Sequence, residues 1–191
     1  MGIAEIFGLR PAGEARAAGL LYGHIVEAAR DPRFFAERGV PDNLDGRFET
    51  LALHAFLVLR RLKSDRSDAA AGLSRALIET FVADMDRSLR EMGVADLGVG
   101  RRVKAMAQGL YGRISAYETA LEESGGAALE AALRRNLYGT LGMPRLEDLA
   151  MVARYVRRQD AALAAQPLSE LRAGRVEFVP LPNAMGQEAQ R

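Results

Sequence analysis

Residues 41–63 read PDNLDGRFETLALHAFLVLRRLK. The opening PDNLDG is turn chemistry, a cluster of proline, aspartates, asparagine and glycine. After this turn comes the most apolar stretch of the chain. At about 100° per residue, Phe48, Leu51, Ala52, Ala55, Val58, Leu59 and Leu62 fill one broad face, and Leu53 and Leu57 add apolar surface on the far flank. The polar residues fall into two narrow stripes, one with Arg47, Thr50, His54 and Arg61, the other with Glu49, Arg60 and Lys63. A helix apolar on nearly every side is wrapped by other elements. The stretch therefore predicts a buried central helix over about 46–63, with Asp45 as its N-cap. Packing explains all of it except the stripe holding Arg47 and His54.

Working outward, the rest of the chain is helical in period. An amphipathic helix is predicted over 14–30, with Ala18, Leu21, Tyr22, Ile25 and Ala29 on one face, ending before Pro32. Phe34 and Phe35 read as a plug at the edge of the core. After the polar break SDRSD at 64–68, Leu73, Leu77, Phe81, Met85 and Leu89 recur every four residues and predict a helix over 69–92, with Gly93 as its C-terminal cap. GVADLGVG at 93–100 reads as a hinge-like turn. The next helix is predicted over 99–121, with Val99, Val103, Met106, Leu110, Ile114, Tyr117 and Leu121 inward. Gly109 and Gly112 interrupt it at a cost of about 1 kcal/mol each, to be offset by close approach of another helix or expressed as a kink. Further helices are predicted over 127–138 and 146–164, then a helical turn at 169–172. Residues 175–179 alternate as a short extended piece, which must lie as an arm across the helices because a lone strand is unstable. The expected architecture is an all-α single domain of five to six helices over 14–182, between a flexible leader at 1–13 and a disordered tail at 183–191.

Composition removes several function classes. The net charge is +1 over 191 residues, which gives no polyelectrolyte footprint for nucleic acid. Without cysteine there are no disulfides, thiolate metal sites or cysteine nucleophiles. His24 and His54 are the only histidines, too few for a multi-histidine centre. We expect no metal site and no cofactor. No apolar run approaches the roughly 20 residues of a membrane span, and the first residues lack a cationic start followed by an apolar core, so the expected location is cytoplasmic.

Three stretches together resemble the ubiquinol–cytochrome c chaperone family: AARDPRFFAERGVPDNLDGRFETLALHAFLVLRRLK (28–63), FVADMDRSLREMGVADLGVGRRVKAMAQGLYGRISAYETAL (81–121) and, more weakly, LRRNLYG (133–139). The likeness spans about 20–139. It implies an all-helical, non-enzymatic factor that assists early assembly of respiratory complex III, with newly made cytochrome b as client. Mitochondrial members also work with a small partner protein and sit near the ribosomal exit. The resemblance is to a compact bacterial form, expected to be without their long N-terminal extension, which leaves ribosome and small partner open. The location implied is cytoplasmic, with peripheral contact at the inner membrane and a transient hold on its anionic surface.

Against that background the candidate binding residues are a methionine-rich groove and its basic border. Met85, Met92 and Met106 flank the turn between the 69–92 and 99–121 helices, with Tyr111 and Tyr117 further along; methionine is flexible and polarisable enough for an adaptable apolar surface. Arg101, Arg102, Lys104 and Arg113 form a basic row that would face acidic client loops or anionic headgroups. Arg47 is expected to pair with Asp84 or Asp86 and His54 to bond within the bundle; the other reading makes their stripe a polar pocket for the client. No catalytic residue is assigned. Asp42 and Asp45 sit in a turn, and Asp84 and Asp86, two residues apart, do not share a helix face. The alternative function is a small helical enzyme acting on a prenyl- or quinone-like substrate in the bundle interior, which calls for a closed apolar cavity ringed by carboxylates.

Overall fold

The turn before the central helix caps it, though through a different residue from the one expected. Asn43 is extended (φ −137°, ψ −179°), and its side-chain oxygen accepts from the Gly46 N–H at 2.9 Å. The helix thus starts two residues early, and Asp45 lies in its first turn, where its charge still suits the positive end. A Cβ at Gly46 would run into the Pro41 carbonyl, so glycine lets the turn fold back against the helix.

This computed structural model describes residues 12–93, 96–139 and 143–182. The helices are α1 (Ala12–Ala29), α2 (Arg33–Ala36), α3 (Leu44–Lys63), α4 (Asp68–Glu91), α5 (Asp96–Glu122), α6 (Ala127–Asn136), α7 (Leu146–Ala165) and α8 (Leu168–Arg172). Among the described residues there is no strand, and no helix is long and apolar enough to cross a membrane. The fold is an all-helical single domain. Every residue from Glu49 to Leu59 is buried, because α1, α4, α5 and α7 all pack on α3. One hydrophobic core joins these helices to α6, α8 and the arm.

Local chemistry sets the other ends. Ser67 caps α4 by accepting from the Ala70 N–H at 3.2 Å. Gly93 takes the left-handed conformation just past α4 (φ 76°) and donates to the Arg90 carbonyl at 2.9 Å. α5 begins at Asp96, so most of the expected turn is helix: Gly98 and Gly100 weaken a helix without forbidding it. Val94 and Ala95 lie outside the described residues. So do residues 1–11 of the expected leader and the whole expected tail, while Ala12 and Gly13 belong to α1. The single turn α2 has no sequence period to reveal it.

The arm lies where an unpaired strand needs outside help. Gly174 turns the chain out of α8 (φ 82°). Gln159 of α7 then donates to the Val179 carbonyl at 2.5 Å and accepts from the Val179 N–H at 3.0 Å. Gln166 does the same for Glu177, at 2.7 and 3.0 Å. Arg33 and Arg38 donate to the carbonyls of Leu181 and Pro182, each at 2.5 Å. Side-chain amides and guanidiniums thus satisfy the peptide groups that a neighbouring strand would otherwise take, and Val176 and Leu181 are buried beneath.

Candidate functional site

The bundle leaves an open groove of about 600 Å³ where α1, the 30–35 connection, the start of α3 and the second half of α4 meet. Its apolar lining includes Val26, Phe35, Phe48, Leu51, Met85 and Leu89, and its rim carries Leu44, Met92 and Met106. Leu44 and Met92 are 47% and 53% exposed, high for large apolar side chains. Phe48 is half-buried, edge-on to Phe81 at 6.0 Å, with the Arg113 guanidinium 5.4 Å from its ring centre. Two of the three acids lining this groove, Asp42 and Asp84, are engaged. Asp42 pairs with Arg47 at 2.8 Å. Asp84 accepts from the Tyr22 hydroxyl at 2.8 Å and pairs with Arg87. Burial first, and then the Asp84 hydrogen bond, push the Tyr22 hydroxyl far above its usual range.

A second groove of about 670 Å³ continues from the first across Leu44, Phe48, Leu89 and Met106. Its far wall is basic, with Arg102 and Arg113 from α5 and Arg135 from the end of α6. At its floor Glu49, only 6% exposed, accepts two bonds from the Arg113 Nε at 2.9 and 3.0 Å and a further one from Nη2. Burial outweighs that pairing and raises the Glu49 carboxyl, whereas the bond to Glu49 raises Arg113. A Cβ at Gly109 would stand 3.1 Å from the Arg113 Nη1. The missing side chain leaves room for the guanidinium to fold back over its own helix toward Glu49 and Phe48, a contact that a Cβ would make tight. The Gly109 position thus faces both Arg113 of its own helix and Phe48 of α3, whose ring lies 3.8 Å from where a Cβ would stand. Gly112 meets nothing within 4 Å.

The predicted binding residues separate into groups. Arg47, Met85, Met92 and Met106 line the first groove, and Arg102, Met106 and Arg113 the second. The methionine groove lies against α1 and α3 and takes only Met106 from α5, so the expected cleft between the 73–92 and 99–121 helices is displaced toward the N-terminal helix. Arg101, Lys104 and Tyr111 are exposed on α5 and line neither groove. Tyr117 is fully buried, with its ring 5.6 Å from Phe56. Arg47 pairs with Asp42, not with Asp84 or Asp86, because the capping turn places that acid five residues before it.

His54 has no exposed surface. The Thr50 carbonyl can only accept, so the His54 Nδ1–H donates to it at 2.7 Å, and Nε2 accepts from the Tyr155 hydroxyl at 2.8 Å. The rings of Phe34 and Phe178 stand 5.5 and 5.4 Å away. Burial pulls the imidazole down to about 4. The stripe from Arg47 to His54 therefore runs from surface to core and is not one pocket. Sequence reasoning missed Phe35, Leu44, Glu49 and Arg135 as groove residues. The one available signal was Phe48, a large aromatic in the first turns of α3, before the helix enters the core.

The family described as Ubiquinol-cytochrome C chaperone matches residues 36–178, which include most of both grooves and, of the His54 cluster, all but Phe34. Among solved structures, the crystal structure of the Cbp3 homolog from Brucella abortus is similar, with a TM-score of 0.79 and 34% sequence identity over 94% of this chain and 98% of that one. No curated protein matches the chain.

Proposed function

The chain belongs to the ubiquinol–cytochrome c chaperone family, and on that footing we propose that its client in complex III assembly is newly made cytochrome b, held by an apolar segment in the methionine-rimmed groove. The observation that carries this reading is the groove itself: a large apolar concavity, open to solvent, with Leu44 and Met92 standing half out of it. Its energetics suit holding followed by release. Three large apolar client side chains buried there would contribute about 5–9 kcal/mol, against an association cost of about 4–15 kcal/mol. The result is a weak, reversible complex.

In this reading the protein is a non-enzymatic bacterial factor at the cytoplasmic side of the inner membrane. Arg47, Arg102 and Arg113 border the client path, and Arg101 and Lys104, which line neither groove, face anionic headgroups. A prenyl- or quinone-directed enzyme would call for a closed cavity ringed by carboxylates; here the groove is open, and Asp42 and Asp84 are already bonded to Arg47, Tyr22 and Arg87. The test is a photo-crosslinking residue placed at Met92, with the same residue at exposed Met143 as control. Capture of cytochrome b at Met92 but not at Met143, before the mature partner subunits join it, is the expected result. No cytochrome b at either position, together with normal complex III after gene deletion, overturns the reading.

A further inference from the structure

The two grooves share a floor but differ in charge. Around the first, Asp42 and Asp84 are matched by neighbouring cations. In the second, only Arg113 is spoken for, by Glu49. The side chains of Arg102 and Arg135 line the same concavity and make no hydrogen bond or ion pair among the described residues, and Asp45 is the one exposed carboxylate set against them. Of the two arginines lining the first groove, Arg47 is paired with Asp42, so among the described residues the second groove gathers two guanidiniums without a side-chain partner where the first has Arg30 alone. An unpaired guanidinium at a groove wall is a fork shaped for a carboxylate, and the bond from Arg113 to Glu49 shows that geometry in this groove.

We infer that the second groove receives acidic side chains that directly flank the apolar stretch of the client, with Arg102 and Arg135 as their partners. The inference rests on the client-groove reading above and adds a polarity to it: apolar residues over Phe48 and Met85, carboxylates beyond Met106. A side chain is favoured over a lipid phosphate by shape. A flat bilayer meets cations that line no concavity, such as Arg101 and Lys104. Arg102 and Arg135 line a concavity continuous with the apolar site.

The test uses the full-length protein and two fluorescein-labelled, leucine- and alanine-rich helical peptides, one ending in glutamates and the other in glutamines. Fluorescence anisotropy should show the glutamate peptide binding about tenfold more tightly, the worth of two partly screened ion pairs. Arg102→Gln with Arg135→Gln should remove that preference, and Arg101→Gln with Lys104→Gln should retain it. Equal binding of the two peptides to the unaltered protein overturns the inference and leaves the groove reading standing. Binding of neither peptide overturns both. Vesicles containing phosphatidylglycerol supply the remaining arm. If Arg102→Gln with Arg135→Gln lowers vesicle binding and leaves the peptide preference intact, the two arginines serve lipid and the inference fails.

Discussion

The two sides of α3 have been finished differently. On the His54 side the chain closes over itself: α2 supplies Phe34, α7 supplies Tyr155, and the arm supplies Phe178, while both ring nitrogens are bonded. On the Phe48 side no described segment completes the cover, and Phe48, Leu44 and Met92 retain exposed surface over an apolar floor. The same helix, with the same apolar density, is thus sealed on one side and left open on the other. Closing an apolar face with eight residues of extended arm (175–182) is within this chain's means, and the face left open among the described residues is the one the proposed client would cover.

The comparison can be broken most forcefully from the sealed side. Truncation after Gly174 removes the arm, exposes the core beneath Val176 and Leu181, and takes from Gln159, Gln166, Arg33 and Arg38 the peptide groups they bond. The expected loss is about 5 kcal/mol in urea unfolding, and a loss under about 1 kcal/mol would mean that the arm is no seal. Next comes Arg113→Ala, which leaves the Glu49 carboxylate buried and uncompensated. It should cost about 3 kcal/mol, the low end for a broken buried pair because Arg113 is partly exposed. Glu49→Gln should recover part of that loss in the Arg113→Ala background.

Acid tests the sealed side by another route. His54 titrates near 4 when folded and near 6.5 when unfolded. Its folded value is depressed, so the unfolded chain takes up the proton first. Stability is full above about pH 6.5 and falls through the window from 6.5 to 4, by about 3 kcal/mol in all. Urea midpoints across that window should slope in the native chain and lose this component in His54→Phe, with Asp31 as the nearby acid whose own titration must be subtracted. The smallest effect belongs to the open side: Met92→Ala should leave stability within about 0.5 kcal/mol while weakening capture of an apolar peptide. A large stability loss there would mean that the groove is core, not binding surface.

The long helices were legible because period and caps agree. Leu73 to Leu89 repeats every four residues and ends at a left-handed glycine, and α3 is apolar enough to declare its burial. The failures share a physical cause, dependence on partners distant in sequence. Nothing local to Arg113 points to Glu49, 64 residues away, so Gly109 could be seen as costly but not as room for a guanidinium. That the methionines belonged together was readable; that α1 and α3, more than α5, would frame them was not, since period fixes which face of a helix is apolar and not which neighbour it meets. An internally bonded His54 was within reach of the sequence, whereas Tyr155, 101 residues on, could not be named as its partner. The choice of Asp45 over Asn43 as cap turned on two residues, about the limit at which helix ends can be placed.

The glutamine clamps have a consequence for how the arm can change. Gln159 and Gln166 grip peptide groups, which every residue offers except proline, which lacks the N–H. Grip strength is therefore nearly blind to sequence. The clamped positions are 177 and 179. A slip of one residue would bring Pro180 to a clamp and turn the inward side chains outward; a slip of two would keep them inward but move each to the wrong seat. Position along the arm is held by Val176, Phe178 and Leu181, which seat against the core. Tightness and register are thus encoded in different atoms, and a substitution can loosen either one while leaving the other unchanged.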